Sequence, residues 1–275
     1  MQDALGSRLK SAVRLSLYVC FTVPMMAVQI VALGASKPLA RNLPLWYHRQ
    51  CCRLLGIRIE RRGRQSRKTP TLFASNHVSY LDILVLGSLV PGSFVAKAEV
   101  KSWPLFGWLA RLQRSVFVDR RPSKTARQRD EIMERLVAGD NLIIFPEGTS
   151  GDGNRVLPFK SALMSAAASE PNGVPLAVQP VTVAYTKLDG LPLGRSLRPF
   201  YAWYGDMDLA PHLWHLAGLG RLTVVVHFHP LITLAELGSR KALAAHCKER
   251  VQEGLAAALS GRPRRAAETQ TLSGP

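Results

Sequence analysis

A histidine and an aspartate separated by four residues, in Asn76-His77-Val78-Ser79-Tyr80-Leu81-Asp82, form the pair in this chain best suited to moving a proton. A carboxylate bonded to one imidazole nitrogen fixes the tautomer, leaves the other nitrogen bare, and stabilises the imidazolium that forms when that nitrogen takes a proton. On one continuous helix, five steps of about 100° would leave the two side chains roughly 140° apart. The two can meet if His77 lies in the turn and Asp82 in the first turn of a helix. A loop histidine bonded to an aspartate for purely structural reasons has the same spacing, so the pair alone leaves both readings open.

A second constellation is Phe145-Pro146-Glu147-Gly148-Thr149-Ser150. Gly148 permits close approach of the backbone, Thr149 and Ser150 offer hydroxyls, and Glu147 can accept from a substrate hydroxyl or hold an arginine. Alone, this segment also reads as an ordinary turn.

Both constellations follow short apolar runs, and the chain around them has the organisation such sites require. Residues 71–75, 94–96, 116–118 and 142–145 read as buried strands, with amphipathic helices between them at 81–89, 105–112 and 124–137. Apolar runs that are continuous rather than alternating imply strands covered on both faces, hence an α/β fold with a mainly parallel central sheet flanked by helices. In that class functional groups sit in the turns that leave the strands. Further strands are expected at 57–60, 176–185, 200–204 and 222–228, a helix at 43–55 with Trp46, Cys52 and Leu55 to one side, and a closing helix at 240–259.

Residues 15–36 carry no formal charge and are long enough to cross a hydrocarbon core of roughly 30 Å. Arg8, Lys10 and Arg14 flank one end, Lys37 and Arg41 the other, so the positive-inside asymmetry is small, and Pro24 and Gln29 weaken a simple spanning helix. Spanning, re-entrant, interfacial and buried-core placements all remain compatible, while Ala32-Leu33-Gly34-Ala35 is only a weak cleavage signal. The expected division is N-terminal membrane-associated helices at 1–56, a catalytic domain at 57–260 and a polar tail at 261–275.

The 275 residues are 47% hydrophobic and carry a net charge of +17. So basic a surface must face something anionic: nucleic acid, an acidic carrier, or membrane headgroups. Arg58, Arg61, Arg62, Arg64, Arg67 and Lys68 form a basic stretch that suits headgroups as well as solvent. Tyr201-Ala202-Trp203-Tyr204 could stack on bases, but no nucleic-acid motif accompanies it, and no nucleic-acid partner is expected. Cys20, Cys51, Cys52 and Cys247 lack zinc or disulfide spacing and suit a reducing compartment. His227 and His229 would share one side of a strand, yet no second ligand cluster matches them or the pair His212 and His215, so no metal is expected.

Taken in order, Asn76-His77 with Asp82, Phe117-Val118-Asp119-Arg120, Phe145-Pro146-Glu147-Gly148-Thr149, and Val174-Pro175 leading to Gln179-Pro180-Val181 resemble the four blocks of glycerolipid acyltransferases of the 1-acyl-sn-glycerol-3-phosphate acyltransferase type. The resemblance implies direct transfer of a fatty acyl group from acyl-ACP or acyl-CoA to a lysolipid hydroxyl, with no cofactor. His77 would be the base and Asp82 its orienting acid. Arg120, Glu147, Gly148 and Thr149 would bind the acceptor, joined by Asn76, Lys97 and Lys160. It also implies membrane lipids and an acyl carrier protein or coenzyme A thioester as partners, at a bacterial inner membrane with the active site on the cytoplasmic side.

Two positions depart from the family pattern: Ser150 stands where arginine commonly follows Glu-Gly-Thr, and Arg114 where glycine is usual. The Glu-Gly-Thr-Ser form, with Tyr201 to Met207 and Val226-His227-Phe228-His229-Pro230, is similar to the bacterial lyso-ornithine lipid acyltransferase branch, whose acceptor has no phosphate. The competing classes are a serine hydrolase, for which the chain lacks a Gly-x-Ser-x-Gly elbow, and a basic membrane- or nucleic-acid-binding protein with a structural His-Asp pair.

Overall fold

The computed structural model describes residues 6–119 and 125–261, with side chains left out at 125–129. Two long helices come first, α1 (Arg8–Ala35) and α2 (Lys37–Leu54), joined at Ser36, whose hydroxyl caps α2 by accepting from Leu39 N. The strands are β1 (Ile57–Gly63), β2 (Thr71–Ser75), β3 (Gly92–Lys97), β4 (Val116–Val118), β5 (Asn141–Ile144), β6 (Ala177–Leu188), β7 (Leu191–Pro192), β8 (Leu222–Phe228) and β9 (Ile232–Thr233). The remaining α-helices are α3 (Leu81–Gly87), α4 (Phe106–Leu112), α5 (Thr125–Val137), α6 (Leu209–Gly218), α7 (Leu234–Leu237) and α8 (Arg240–Leu259).

The sheet order is β1-β8-β6-β2-β5-β3-β4, with the short β7 and β9 paired to β6. From β6 to β4 neighbours run parallel; β8 turns antiparallel to β6, and β1 follows β8. The strand pleat explains why the apolar runs are continuous. Phe73 and Ile143 enter a core shared with Leu81, Val85 and Leu86 of α3, whereas Leu72, Ala74, Leu142 and Ile144 enter the opposite core with Leu243 and Cys247 of α8. Both faces of the central strands are thereby covered.

Strands at 71–75, 116–118 and 222–228 have their expected bounds, and the closing helix begins and ends as the pattern predicts. The expected strand at 200–204 is absent. Arg198–Phe200 forms a 3-10 turn, Tyr201 packs against Tyr185, and Trp203 N donates to Val78 O at 3.0 Å, so this aromatic run braces a loop instead of joining the sheet. Aromatic β propensity reflects half-buried packing, which a loop against a core also supplies. Helix α6 has no counterpart in the expected elements. On α2, Trp46 is 45% exposed while Cys52 and Leu55 are buried, since six residues carry it roughly 240° around the helix. Lys124 and residues 262–275 lie outside the described residues.

Helix α1 packs on α2 and α6 and is bonded to the rest of the fold near both ends. Ser11 Oγ donates to Trp214 O at 2.8 Å, and Arg14 donates to Ala217 O and Leu219 O at 3.0 and 2.8 Å. At the other end Gln29 Nε2 donates to Ala40 O and Leu112 O, each at 3.0 Å. A second tie is Asp140, where Arg41 of α2, Arg114 and Arg135 converge at 2.5, 2.5 and 3.3 Å. Arg114 has φ +61°, the left-handed conformation that favours glycine, and its guanidinium is held by this carboxylate.

Candidate active site

β2 ends at Ser75 in the middle of the sheet, and the next residues turn over its C-terminal edge before α3 begins. Asn76, 2% exposed, staples the turn to β6: its Nδ2 donates to Val183 O at 2.9 Å and its Oδ1 accepts from Val183 N at 2.8 Å. Because both ends of the amide are used on the backbone, Asn76 shapes the loop. Gly151 N, donating to His77 O at 2.9 Å, and Glu147 Oε1, accepting from His77 N at 3.3 Å, hold the following peptide.

Asp82 is the second residue of α3 and fully buried. His77 Nδ1 lies 2.8 Å from Asp82 Oδ2, the turn-plus-first-helical-turn arrangement that lets the pair meet. The same oxygen accepts from Val78 N and Ser79 N at 2.7 and 3.0 Å, the bonds that draw the turn tight around the carboxylate. The contact places the imidazole proton on Nδ1 and leaves Nε2 as the bare nitrogen. The His77 side chain is 21% exposed, and its ring stacks on Phe145 with centroids 4.1 Å apart, which fixes its plane.

His77 lines a mostly apolar cavity of about 450 Å³. Phe145, Lys97, Thr149, Ser150 and Trp203 share its wall with His77, and Tyr18, Thr22, Met25 and Tyr47 of α1 and α2 extend it. The cavity thus joins a proton acceptor to an apolar channel built by the N-terminal hairpin. A group with a long hydrocarbon chain and a reactive polar end matches that shape.

Glu147 is 2% exposed, and burial pushes its carboxyl up to about 8, against the opposing pull of backbone N–H groups of His77 and Leu157. A mostly neutral acid in that place braces the His77 turn. Gly148 has φ +69°, and a β-carbon there would stand 3.0 Å from Leu163 Cδ1 and 3.3 Å from Lys160 Nζ, so the Pro-Glu-Gly turn needs glycine for both conformation and space. Those distances put the Lys160 ammonium beside the turn. The Ser150 hydroxyl donates to Trp203 O. Arg120 lies outside the described residues.

The structure therefore brings together His77, Asp82, Asn76, Glu147, Gly148, Thr149 and Lys97, with Lys160 close behind Gly148. Sequence reasoning missed Phe145 as the ring stacked on His77 and Tyr185, whose hydroxyl donates to Asp82 Oδ1 at 2.8 Å. Tyr185 lies in an apolar run a hundred residues from the motif, and only the β2–β6 pairing reveals its proximity. His229 Nε2 bonds Thr182 Oγ1 at 2.8 Å, and no cluster of three or more metal-ligating side chains occurs among the described residues.

Residues 56–184 match the family model described as Acyltransferase. Over 249 residues the chain is 44% identical to a lyso-ornithine lipid O-acyltransferase of Brucella abortus, covering 89% of this chain and 93% of that protein. It is 43% identical to the protein of the same name from Rhizobium meliloti, covering 92% and 88%. A 1-acyl-sn-glycerol-3-phosphate acyltransferase of Neisseria gonorrhoeae is 33% identical, covering 72% and 73%. The crystal structure of the 1-acyl-sn-glycerophosphate acyltransferase of Thermotoga maritima shares the fold, with a TM-score of 0.63 at 22% identity over 90% of this chain and 93% of that one.

Proposed function

We propose, from the premise that this chain belongs to the acyltransferase family, that it transfers a fatty acyl group from a thioester to the hydroxyl of a lysolipid in membrane lipid biosynthesis. The observation that carries the reading is the His77 Nδ1–Asp82 Oδ2 bond of 2.8 Å at the wall of the apolar cavity. His77 Nε2 takes the proton of the acceptor hydroxyl as its oxygen attacks the thioester carbonyl carbon. Collapse of the tetrahedral intermediate breaks the C–S bond, and the thiolate leaves as a thiol with the proton that His77 held. Asp82 keeps the imidazole oriented and offsets its charge in between. The protein supplies no nucleophile, because the lysolipid brings its own.

The preferred acceptor is a lyso-ornithine lipid, supported by the relatives at 43% and 44% identity across most of the chain. Ser150, turned onto Trp203 O, supplies no cation where a phosphate would require one. Lysophosphatidic acid is the second reading, supported by the relative at 33% identity. The donor is acyl-ACP or acyl-CoA; the net charge of +17 suits either the acidic carrier or the phosphates of coenzyme A. Asn76, Glu147 and Gly148 act as the frame of the site, and Thr149, Lys97, Lys160 and Arg120 as its acceptor contacts.

Residues 57–260 are the catalytic unit, and α1 with α2 forms the membrane attachment. α1 is long and apolar enough to cross a membrane, with Leu9 76%, Val23 56% and Val31 68% exposed. A helix of 28 residues is about 42 Å long, and this one is bonded to the same domain near both ends. That supports α1 lying in one leaflet, with Trp46, Trp108 and Trp214 exposed for the interface. The cytoplasmic face of the bacterial inner membrane is the proposed side.

Purified protein in phospholipid vesicles, given labelled acyl-ACP or acyl-CoA with lyso-ornithine lipid or lysophosphatidic acid, tests the acceptor. Ornithine lipid is the expected main product. Exclusive use of lysophosphatidic acid would reverse the preference, and no product from either would end the reading.

A further inference from the structure

We propose that Tyr185 is a positioning residue for acyl transfer, acting through the Asp82 carboxylate; the proposal rests on the reading of His77 and Asp82 as the pair that moves the proton. Tyr185 is in β6, 1% exposed, within the apolar cluster that includes Leu81 and Val85 of α3. Its hydroxyl donates to Asp82 Oδ1 at 2.8 Å.

The two carboxylate oxygens have divided partners. Oδ2 takes His77 Nδ1 and the backbone N–H groups of Val78 and Ser79, whereas Oδ1 is held by Tyr185. Three bonds anchor Oδ2, and the buried Oδ1 receives its bond from Tyr185, a ring wedged in a close-packed core and met edge-on by Tyr201 at 6.2 Å. The end of the carboxylate that faces away from His77 is thereby held from β6, a different strand from the one that delivers the histidine, and a carboxylate that lost this partner would have a reason to turn. Burial and the neighbouring Asp82 charge push the Tyr185 hydroxyl well above its ordinary range, so it remains a donor wherever the enzyme works.

Packing alone asks only for an aromatic ring here, which phenylalanine would supply. The hydroxyl affects the chemistry in two ways: it orients the carboxylate, and by drawing on its negative charge it moderates how strongly Asp82 holds the imidazolium. The other titratable groups facing the pair are Glu147, bonded to His77 N, Tyr80 in the same turn, and Lys97 and Glu99 on the cavity wall. None of them takes the place of Tyr185 at Oδ1.

The test is Tyr185→Phe in the full chain, assayed in vesicles with an acyl thioester and a lysolipid acceptor, beside Asp82→Asn. Removing one charge-assisted hydrogen bond is expected to lower kcat on the order of tenfold or more, with KM for both substrates within about twofold. The acid limb of the rate profile should move to higher pH, because the uncompensated carboxylate favours the imidazolium and so withdraws the base. A ring-fluorinated tyrosine at position 185, a stronger donor that preserves the packing, should move the limb to lower pH. A folded Phe variant with wild-type kcat and an unmoved limb overturns the proposal. So does a fluorinated variant whose limb stays in place, which covers the case of a Phe variant that fails to fold. Asp82→Asn separates the two levels: full transfer by that variant removes the catalytic pair itself, whereas loss there with wild-type behaviour in Tyr185→Phe removes only the role of Tyr185.

Discussion

His77 is held by three neighbours: Asp82 at Nδ1, Phe145 against its ring, and Glu147 at its backbone N–H. Each restraint leaves Nε2 unused, which is what a base that must receive a proton from a bound hydroxyl requires. Glu147 carries a testable signature. Its folded carboxyl titrates near 8 against an ordinary value of 4.5, so between those values the folded state binds a proton that the unfolded chain has released. Stability from this group is fully present below the unfolded value and declines as pH rises towards 8. Thermal melts of Glu147→Gln, which retains the oxygen that accepts from His77 N, should lose that decline, an effect of up to a few kcal/mol. An identical pH dependence in the variant and the parent would show that Glu147 ionises normally. At this scale the motif residues were legible because their order along the chain is a local property. Tyr185 was not, since a tyrosine in a buried strand looks the same whether or not a carboxylate awaits its hydroxyl.

Elements deliver these residues through register. β2 and β6 pair from Thr71 with Ala177 to Ser75 with Val181, and this alignment brings the backbone of Val183 within reach of the Asn76 amide and carries Tyr185 on towards α3. Apolar periodicity identified most of the sheet because strands covered on both faces have few competing readings. It failed at Phe200–Tyr204 positions, where the same aromatic residues line a loop against Val78 and Ser150. It also left the placement of α1 undecided, because hydropathy measures what a helix avoids and not what it packs against. The bonds from Ser11 and Arg14 at one end and Gln29 at the other support the proposed placement in one leaflet. They predict that Lys10→Cys and Lys37→Cys, each in a Cys20→Ser background, label to the same extent when an impermeant thiol reagent is added outside sealed proteoliposomes. Labelling of one position with protection of the other would mean that α1 crosses the bilayer.

For the whole molecule, the hairpin proposed as the membrane attachment is also a wall of the cavity. Tyr18, Thr22 and Tyr47 belong to α1 and α2, yet they line the cavity that reaches His77, so on the proposed function the hydrocarbon chain would be received beside the proposed attachment. The exposed apolar face of α1 and the indoles of Trp46, Trp108 and Trp214 add surface that water disfavours and a bilayer accepts. Attachment and chemistry are thus adjacent in space but separate in residues, and that separation permits the most direct trial of the account. In His77→Ala, acyl transfer to lysolipid should fall by about 10² to 10⁴ or below detection, while co-flotation with phospholipid vesicles and the melting temperature stay at the parent values. A folded, vesicle-bound His77→Ala protein that transfers acyl groups at the parent rate would contradict it.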